Sequence, residues 1–376
     1  MAQTTSVSTA PDREEERDGE ERTTVDGHSE TLTTTESGLE VTLYDSIRSI
    51  SASRWNDVVE RSTCGSVFHR YEWLEAVETG LGQTPRHLVV EKDGNLIGLL
   101  PHFVVDIERT PFRRLSSSYP GFGGPLATTD VAESLSLLTE TVPDLCSGRT
   151  VVHQIRGLDT KYLRYNNVLQ SEGYEPYRRE CRFVLDLTRG YDEVFDGMSG
   201  TRRRGIERGK DGDYEIVEEE LTRPTLERFH RVYEQVMDRV DGDAYPLSFF
   251  ERLLDMRERL LLLTIRIDDE YAGGFLELLD EQRSSIHGFF AAVPEEYFGD
   301  HASELLYDYV IRWGIDNGYD TYDFGSTNAN FENGVFRFKE GFGGRIVPIL
   351  VWERGCSPLW NVLKAGRSLY WPHRYD

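Results

Sequence analysis

From Leu39 onward the chain runs twice through one order of elements, and this double order constrains the fold more than any other feature. Each pass places amphipathic helices first, then an apolar hairpin, then a strand, a helix and a strand. In the first pass "EVTLY" reads as a strand, and "SRWNDVVERS" and "YEWLEAVETG" read as short helices, the latter stopped by Gly80. "RHLVVEKDGNLIGLLPHFVV" is a hairpin, with Asp93-Gly94 between two apolar runs as the turn. A helix over 131–146, the strand "TVVHQIRG", the helix "YLRYNNVLQSEG" and the strand "CRFVLDL" close the pass. The second pass has helices over 191–210, 222–239 and 247–259, and a hairpin through Asp268-Asp269-Glu270. The strand "SIHGFFAAV", a helix ended by Gly318, "YDTYDFGS" and a last strand, "GGRIVPILVWE", follow. Strands alternating with helices in this way give an α/β fold with helices flanking the sheets. The expectation is two α/β units, over 39–188 and 189–354. An acidic tail over 1–38 precedes them, and a segment over 355–376 packs back on the first unit.

Charge bounds the partners. The 376 residues carry a formal charge of −24, and only five of the 42 basic residues are lysine. Acid excess with so little lysine is the pattern of a salt-adapted, halophilic chain whose hydrated carboxylates maintain solubility. The first 38 residues hold ten acids against three arginines and almost nothing apolar, the composition of a disordered tail. Four cysteines without a CxxC pair or metal-ligand spacing read as buried thiols in a reducing compartment, and no metal is expected. No run approaches the ~18 apolar residues of a membrane span. The N-terminus offers no apolar signal core, so a cytoplasmic location is expected.

Against this background a basic run is informative. "TRRRGIERGK" sets Arg202, Arg203, Arg204, Arg208 and Lys210 against Glu207 alone. Arg204 and Arg208 share a helix face at i,i+4, and arginine grips phosphate through paired hydrogen bonds. The run reads as a site for the phosphates of a tRNA, a nucleotide or coenzyme A, or else as a solvated helix face. "YDTYDFGSTN" reads as a strand opening into a loop, where α/β folds gather their ligands. His287 precedes the core-like "GFFAA" and reads first as a packed strand residue. "GFGGPL" lacks the Gly-Lys-Ser/Thr of a phosphate-binding loop and reads as a turn lining a cleft, with Tyr119 beside it as a substrate contact.

Taken in order, "MSGTRRRGIERGKDGDYEIVEE", a hairpin, "IHGFFAAVPEEYFGDHASELLYDYVIRWGIDNGYDTYDFGS" and "RFKEGFGG" resemble the Fem-type aminoacyltransferases. Those are tandem acetyltransferase-fold proteins of the GNAT superfamily. The likeness is strong over 190–353 and fainter over 40–188. It implies tandem GNAT-like domains with mixed sheets, and N-acyl transfer from an activated donor to an acceptor amine. Aminoacyl-tRNA or acyl-CoA would serve as co-substrate, with no tightly bound cofactor, and tRNA would be a partner only through the donor. Acetylation by acetyl-CoA, and a non-catalytic nucleotide- or peptide-binding module, remain the alternatives.

The resemblance also implies site residues. The family's Phe-Lys pair falls on Phe338 and Lys339. Lys339 would stabilise the oxyanion or the leaving group as a compact charge, and Phe338 would wall the donor site. Arg203, Arg204 and Arg208 would hold donor phosphates, Asp323 would position or deprotonate the amine, and Asn328 would contact substrate. Where cell-wall members bind their precursor, this chain has Val77, Thr128 and Tyr245, so a different acceptor is implied. The start of the helix that would cradle the pyrophosphate of coenzyme A carries Glu296, an anion.

Overall fold

A computed structural model describes residues 27–370, apart from 109, 118, 119, 159, 178, 179 and 241. Each anticipated hairpin forms where its turn chemistry allows. The strands His87–Lys92 and Asn95–Leu100 pair from Lys92↔Asn95. Asp93 and Gly94 take the left-handed backbone (φ 51° and 75°) that a two-residue hairpin turn requires. Asp268 and Asp269 do the same between Leu260–Ile267 and Glu270–Asp280.

Three mixed or antiparallel sheets result. A five-stranded sheet and a six-stranded sheet share the first unit, and a seven-stranded sheet makes the second. The expectation of tandem GNAT-like α/β units holds, but two strands exchange partners between them. Glu180–Asp186, expected to complete the first unit, lies in the seven-stranded sheet between Thr321–Asn328 and Arg345–Pro348. The last strand is not one strand. It breaks at Ile349, so that Arg345–Pro348 stays in the second sheet while Leu350–Gly355 inserts between Glu175–Tyr177 and Thr150–Gly157 of the first unit. Each half therefore lends one strand to a sheet of the other.

The exchange is matched by a common core. Trp55, Phe68, Trp73 and Trp352 pack in one cluster with Phe249, Phe250 and Phe290 of the second unit. The helix Tyr71–Gly80 crosses Leu247–Leu253 so closely that a Cβ on Gly80 would stand 2.6 Å from the Phe249 Cα. Gly80 thus ends its helix by permitting contact rather than by a left-handed turn. Ser248 donates to the Gly80 carbonyl across the same contact, at 2.7 Å.

Two further expectations change. Within the acidic tail, Ser29–Thr34 forms an edge strand against Leu39–Tyr44. Its threonines favour a strand, and backbone pairing needs no apolar face; residues 1–26 lie outside the described residues. Two of the four expected thiols are joined: Cys146 and Cys356, 210 positions apart, form a disulfide, while Cys64 and Cys181 are free and buried. Beyond Gly355 the helix Pro358–Tyr370 sets Trp360 against Val151 and Val152 of the first unit. Residues 371–376 lie outside the described residues. No described helix is long and apolar enough to cross a membrane.

Trp352 is fully buried. Trp352→Ala should cost about 3–5 kcal/mol, and the loss should fall on the first unit. Hydrogen exchange should accelerate across Thr150–Gly157 well before Thr321–Asn328; the reverse order would contradict the strand exchange.

Candidate active site

The second sheet contains a place where two parallel strands stop bonding. Ser285–Ala292 and Thr321–Asn328 pair over only three residues, ending at His287↔Asp323. On the other edge of Ser285–Ala292 the register slips, with Leu276 opposite Phe290 but Glu277 opposite Gly288, so Phe289 is an extra residue. A bulge bends its strand, and here it sits where the parallel pairing ends. Gly288 and Gly325 face each other across the gap; a Cβ on Gly325 (φ 73°) would lie 2.5 Å from the Gly288 carbonyl oxygen.

A cavity of about 540 Å³ opens from this gap, and both units line it. Phe68, Phe122 and Arg156 come from the first; Tyr245, Phe289 and Lys339 come from the second. Lys339 rides on the short helix Gly334–Glu340 and is half-buried. Its Nζ donates to the carbonyls of Ser326 (3.0 Å) and Gly325 (3.3 Å). Burial lowers its pKa to about 8, although Asp323 pulls the other way. A compact ammonium on a flexible stem can be steered onto both carbonyls at once.

Beneath the cavity lies a buried ionic network. Asp323 is 1% exposed and takes an ion pair from Arg182 and a hydrogen bond from His287 Nδ1 at 3.1 Å. Burial alone would raise this carboxyl, but Arg182 and His287 together hold it well below the usual range. Burial would likewise lower the His287 ring, yet Asp280 and Asp323 on either side raise it. Asp280 also accepts from the Val67 N–H of the first unit, at 3.0 Å. Glu277, 1% exposed, accepts from the Tyr322 hydroxyl at 2.9 Å, and burial pushes its pKa up to about 8.

The other anticipated residues scatter around this centre. Phe338 does not line the cavity; it packs against Tyr307 and Phe342 beneath the Arg202 guanidinium, 4.1 Å from its ring centre. Consecutive helical residues point about 100° apart, so Lys339 faces the cavity and Phe338 the core. The arginine run forms the helix Gly200–Lys210, whose start abuts the end of the Lys339 helix through Ser199 N–H to the Gly341 carbonyl at 2.8 Å. None of Arg203, Arg204 and Arg208 lines the cavity; Arg203 stands 3.8 Å from Asp196, and Arg204 and Arg208 are exposed. Asn328 lines a neighbouring cavity of about 680 Å³, which shares Arg114, Gln154 and Glu180 with the first. Tyr119 lies outside the described residues, while Gly121 and Phe122 of its loop line the main cavity. Of the departures, Val77 is core, Thr128 bonds the Ile97 carbonyl, and Tyr245 lines the cavity.

Arg182, Glu277 and Asp280 escaped the sequence reading, and His287 was undervalued. The signal was there: an arginine inside "CRFVLDL" and two acids inside "FLELLD" are charges in apolar strands, and such charges are rarely buried unless paired. No group of His, Cys, Asp and Glu suited to a metal occurs among the described residues.

Residues 198–340 match the family described as acetyltransferase (GNAT) domain. The match covers the second unit alone, and the two halves together take the arrangement of the Fem-type fold. Its structure is similar to the crystal structure of FemX, with a TM-score of 0.65 and 13% identity over 84% of this chain and 98% of that one. A tandem GNAT protein from the clavulanic acid biosynthesis pathway gives 0.51 at 12% identity, covering 85% and 99%. The C-terminal domain of a putative lysylphosphatidylglycerol synthetase from Agrobacterium fabrum gives 0.54 at 12%, covering 85% and 95%. No curated protein matches the chain in sequence.

Arg182→Ala should strand the Asp323 carboxylate without its partner and destabilise the fold by about 3–5 kcal/mol, measured by denaturant unfolding. The stability that Asp323 contributes should be present above its unfolded pKa and lost as pH falls toward its depressed folded value.

Proposed function

We propose that the protein transfers an aminoacyl or acyl group from an activated donor to an acceptor amine bound in the cavity between its halves. The observation that carries this reading is Lys339, a half-buried ammonium held on two strand carbonyls at the mouth of the strand gap. When an amine attacks an ester or thioester, the carbonyl oxygen becomes an oxyanion and the leaving group takes up negative charge. A fixed cation there lowers the barrier more than it stabilises the bound substrate. Asp323 serves as a positioning group. It is held as a carboxylate by Arg182 and His287, which suits it to orient this centre and makes it a weak proton acceptor.

The donor phosphates are held by Arg203, Arg204 and Arg208, on the helix that abuts the end of the Lys339 helix. The exposed face shared by Arg204 and Arg208 supports a large donor such as an aminoacyl-tRNA. A specific feature weighs against the grip on coenzyme A that a helix start provides. The start of Ala302–Asp316 is filled from within: Glu304 is buried, paired with Arg202, and packed against Gly205. A carboxylate in the first turn of that helix disfavours a pyrophosphate beside it. The acceptor amine enters past Tyr245, Phe122 and Phe289, so its body is at least partly apolar, and Asn328 borders its way in.

Lys339→Ala should lower kcat about 100-fold or more, the loss typical of one oxyanion donor. The assay is mass spectrometry of amines acylated by wild type and not by the variant, with charged tRNA and acyl-CoA supplied separately. An unchanged product spectrum would remove the reading. The rate should rise with pH as the acceptor amine loses its proton, then fall near pH 8 as Lys339 loses its own. In Lys339→Arg, which keeps its charge, the descending limb should move upward while kcat stays low. A limb that stays near 8 would mean that another group titrates.

A further inference from the structure

The ionic network is a partition. Asp323 and His287 face the main cavity, and Arg182 and His287 also line a second one, of about 700 Å³, on the opposite side. This second cavity lies between the loop Arg61–Gly65 of the first unit and the start of Ser285–Ala292 in the second. Its charge reverses that of the whole molecule. Among the described residues, Arg61, Lys161, Arg182, Arg283 and Arg345 line it against Glu60 and Asp320, in a chain of net charge −24.

Some of that charge is already engaged. Arg61 pairs with Asp57, Arg182 with Asp323, and Arg283 donates to the carbonyls of Gly65 and Thr63. Glu60, in turn, is neutralised from outside by Arg70 at 3.0 Å. Arg345 is exposed and makes no ion pair among the described residues.

Three polar atoms on lining residues make the second observation. Arg182 Nε, Ser62 Oγ and His287 Nε2 are all buried without a hydrogen-bond partner. His287 Nε2 stands 3.8 Å from Asp280, beyond hydrogen-bond reach. Each of the three can donate, and a buried donor left unsatisfied costs about 1–3 kcal/mol. All three belong to residues that line a cationic cavity, which suits a ligand that only accepts. A carboxylate offers two oxygens, whereas a phosphoryl group offers three around one centre and suits arginine as well.

We propose that this second cavity is a binding site for a phosphoryl group, separate from the acyl-transfer cavity and sharing with it, among the described lining residues, only His287. The proposal does not depend on the acyl-transfer reading, and its test is binding rather than turnover. The group arrives either as a free phosphate or pyrophosphate, or on a larger ligand such as a nucleotide.

Isothermal titration calorimetry of the full chain with inorganic pyrophosphate, at fixed chloride, tests it. Wild type should bind saturably with one site per chain. The double variant Lys161→Glu, Arg345→Glu reverses two exposed rim charges without touching the network. It should weaken binding about tenfold or more, while keeping the melting temperature of the ligand-free protein. The remote reversal Arg223→Glu should leave affinity unchanged. Absence of saturable binding overturns the proposal, and so does an equal loss in Arg223→Glu, which would signify general attraction. Inorganic phosphate, coenzyme A and adenosine monophosphate form the parallel arms. Binding confined to the inorganic anions identifies a free ligand. Tighter binding of either nucleotide, lost in the same double variant, identifies a carried group.

Discussion

A guanidinium and a carboxylate removed from water together are stable only while each has the other, and the Arg182–Asp323 pair sets that condition at the centre of the second sheet. Arg182 arrives on the strand that crosses over from the end of the first unit, Asp323 on its antiparallel neighbour, and His287 on the next strand along. A slip of one residue in any of the three would turn a charged side chain to the opposite face. The network therefore holds in register the strands whose separation makes the cavity.

The cost of burying this much charge is offset through connection. Asp323 has three donors, Arg182, His287 and the Gly325 N–H; Asp280 has His287 beside it and a backbone N–H from the other unit. Glu277 is the contrast: with Tyr322 alone as hydrogen-bond donor, its proton affinity rises. Lys339 stands at the edge of the same field, desolvated but still attracted to Asp323, and its pKa falls to about 8. A lysine so placed is charged at neutral pH yet titrates within reach of it.

The exchange of strands gives the cavity two rigid walls. Leu350–Gly355 is internal to a first-unit sheet and Glu180–Asp186 is internal to the second-unit sheet, so the halves cannot separate without breaking both. The aromatic cluster around Trp73 and Phe249 adds a dry contact between them. Such construction favours a cleft of fixed width, with Lys339 brought to it by a short helix rather than by a long loop.

Much of the scaffold was legible in the residues because local chemistry decides it. The Asp93-Gly94 and Asp268-Asp269 turns, the helix ended at Gly318 and the twofold order of helices, hairpin and strands depend on neighbours a few positions away. Lys339 stood out as one lysine among arginines, and its neighbour Phe338 was misplaced because two adjacent helical residues serve different sides. What only the tertiary structure decided depends on contacts between distant positions. These are the exchange of Glu180–Asp186 and Leu350–Gly355, the 210-residue span between Cys146 and Cys356, and the meeting of Arg182, His287 and Asp323. A charge in an apolar strand announces in the sequence that it needs a partner; which partner it has is fixed only when separate strands are laid side by side.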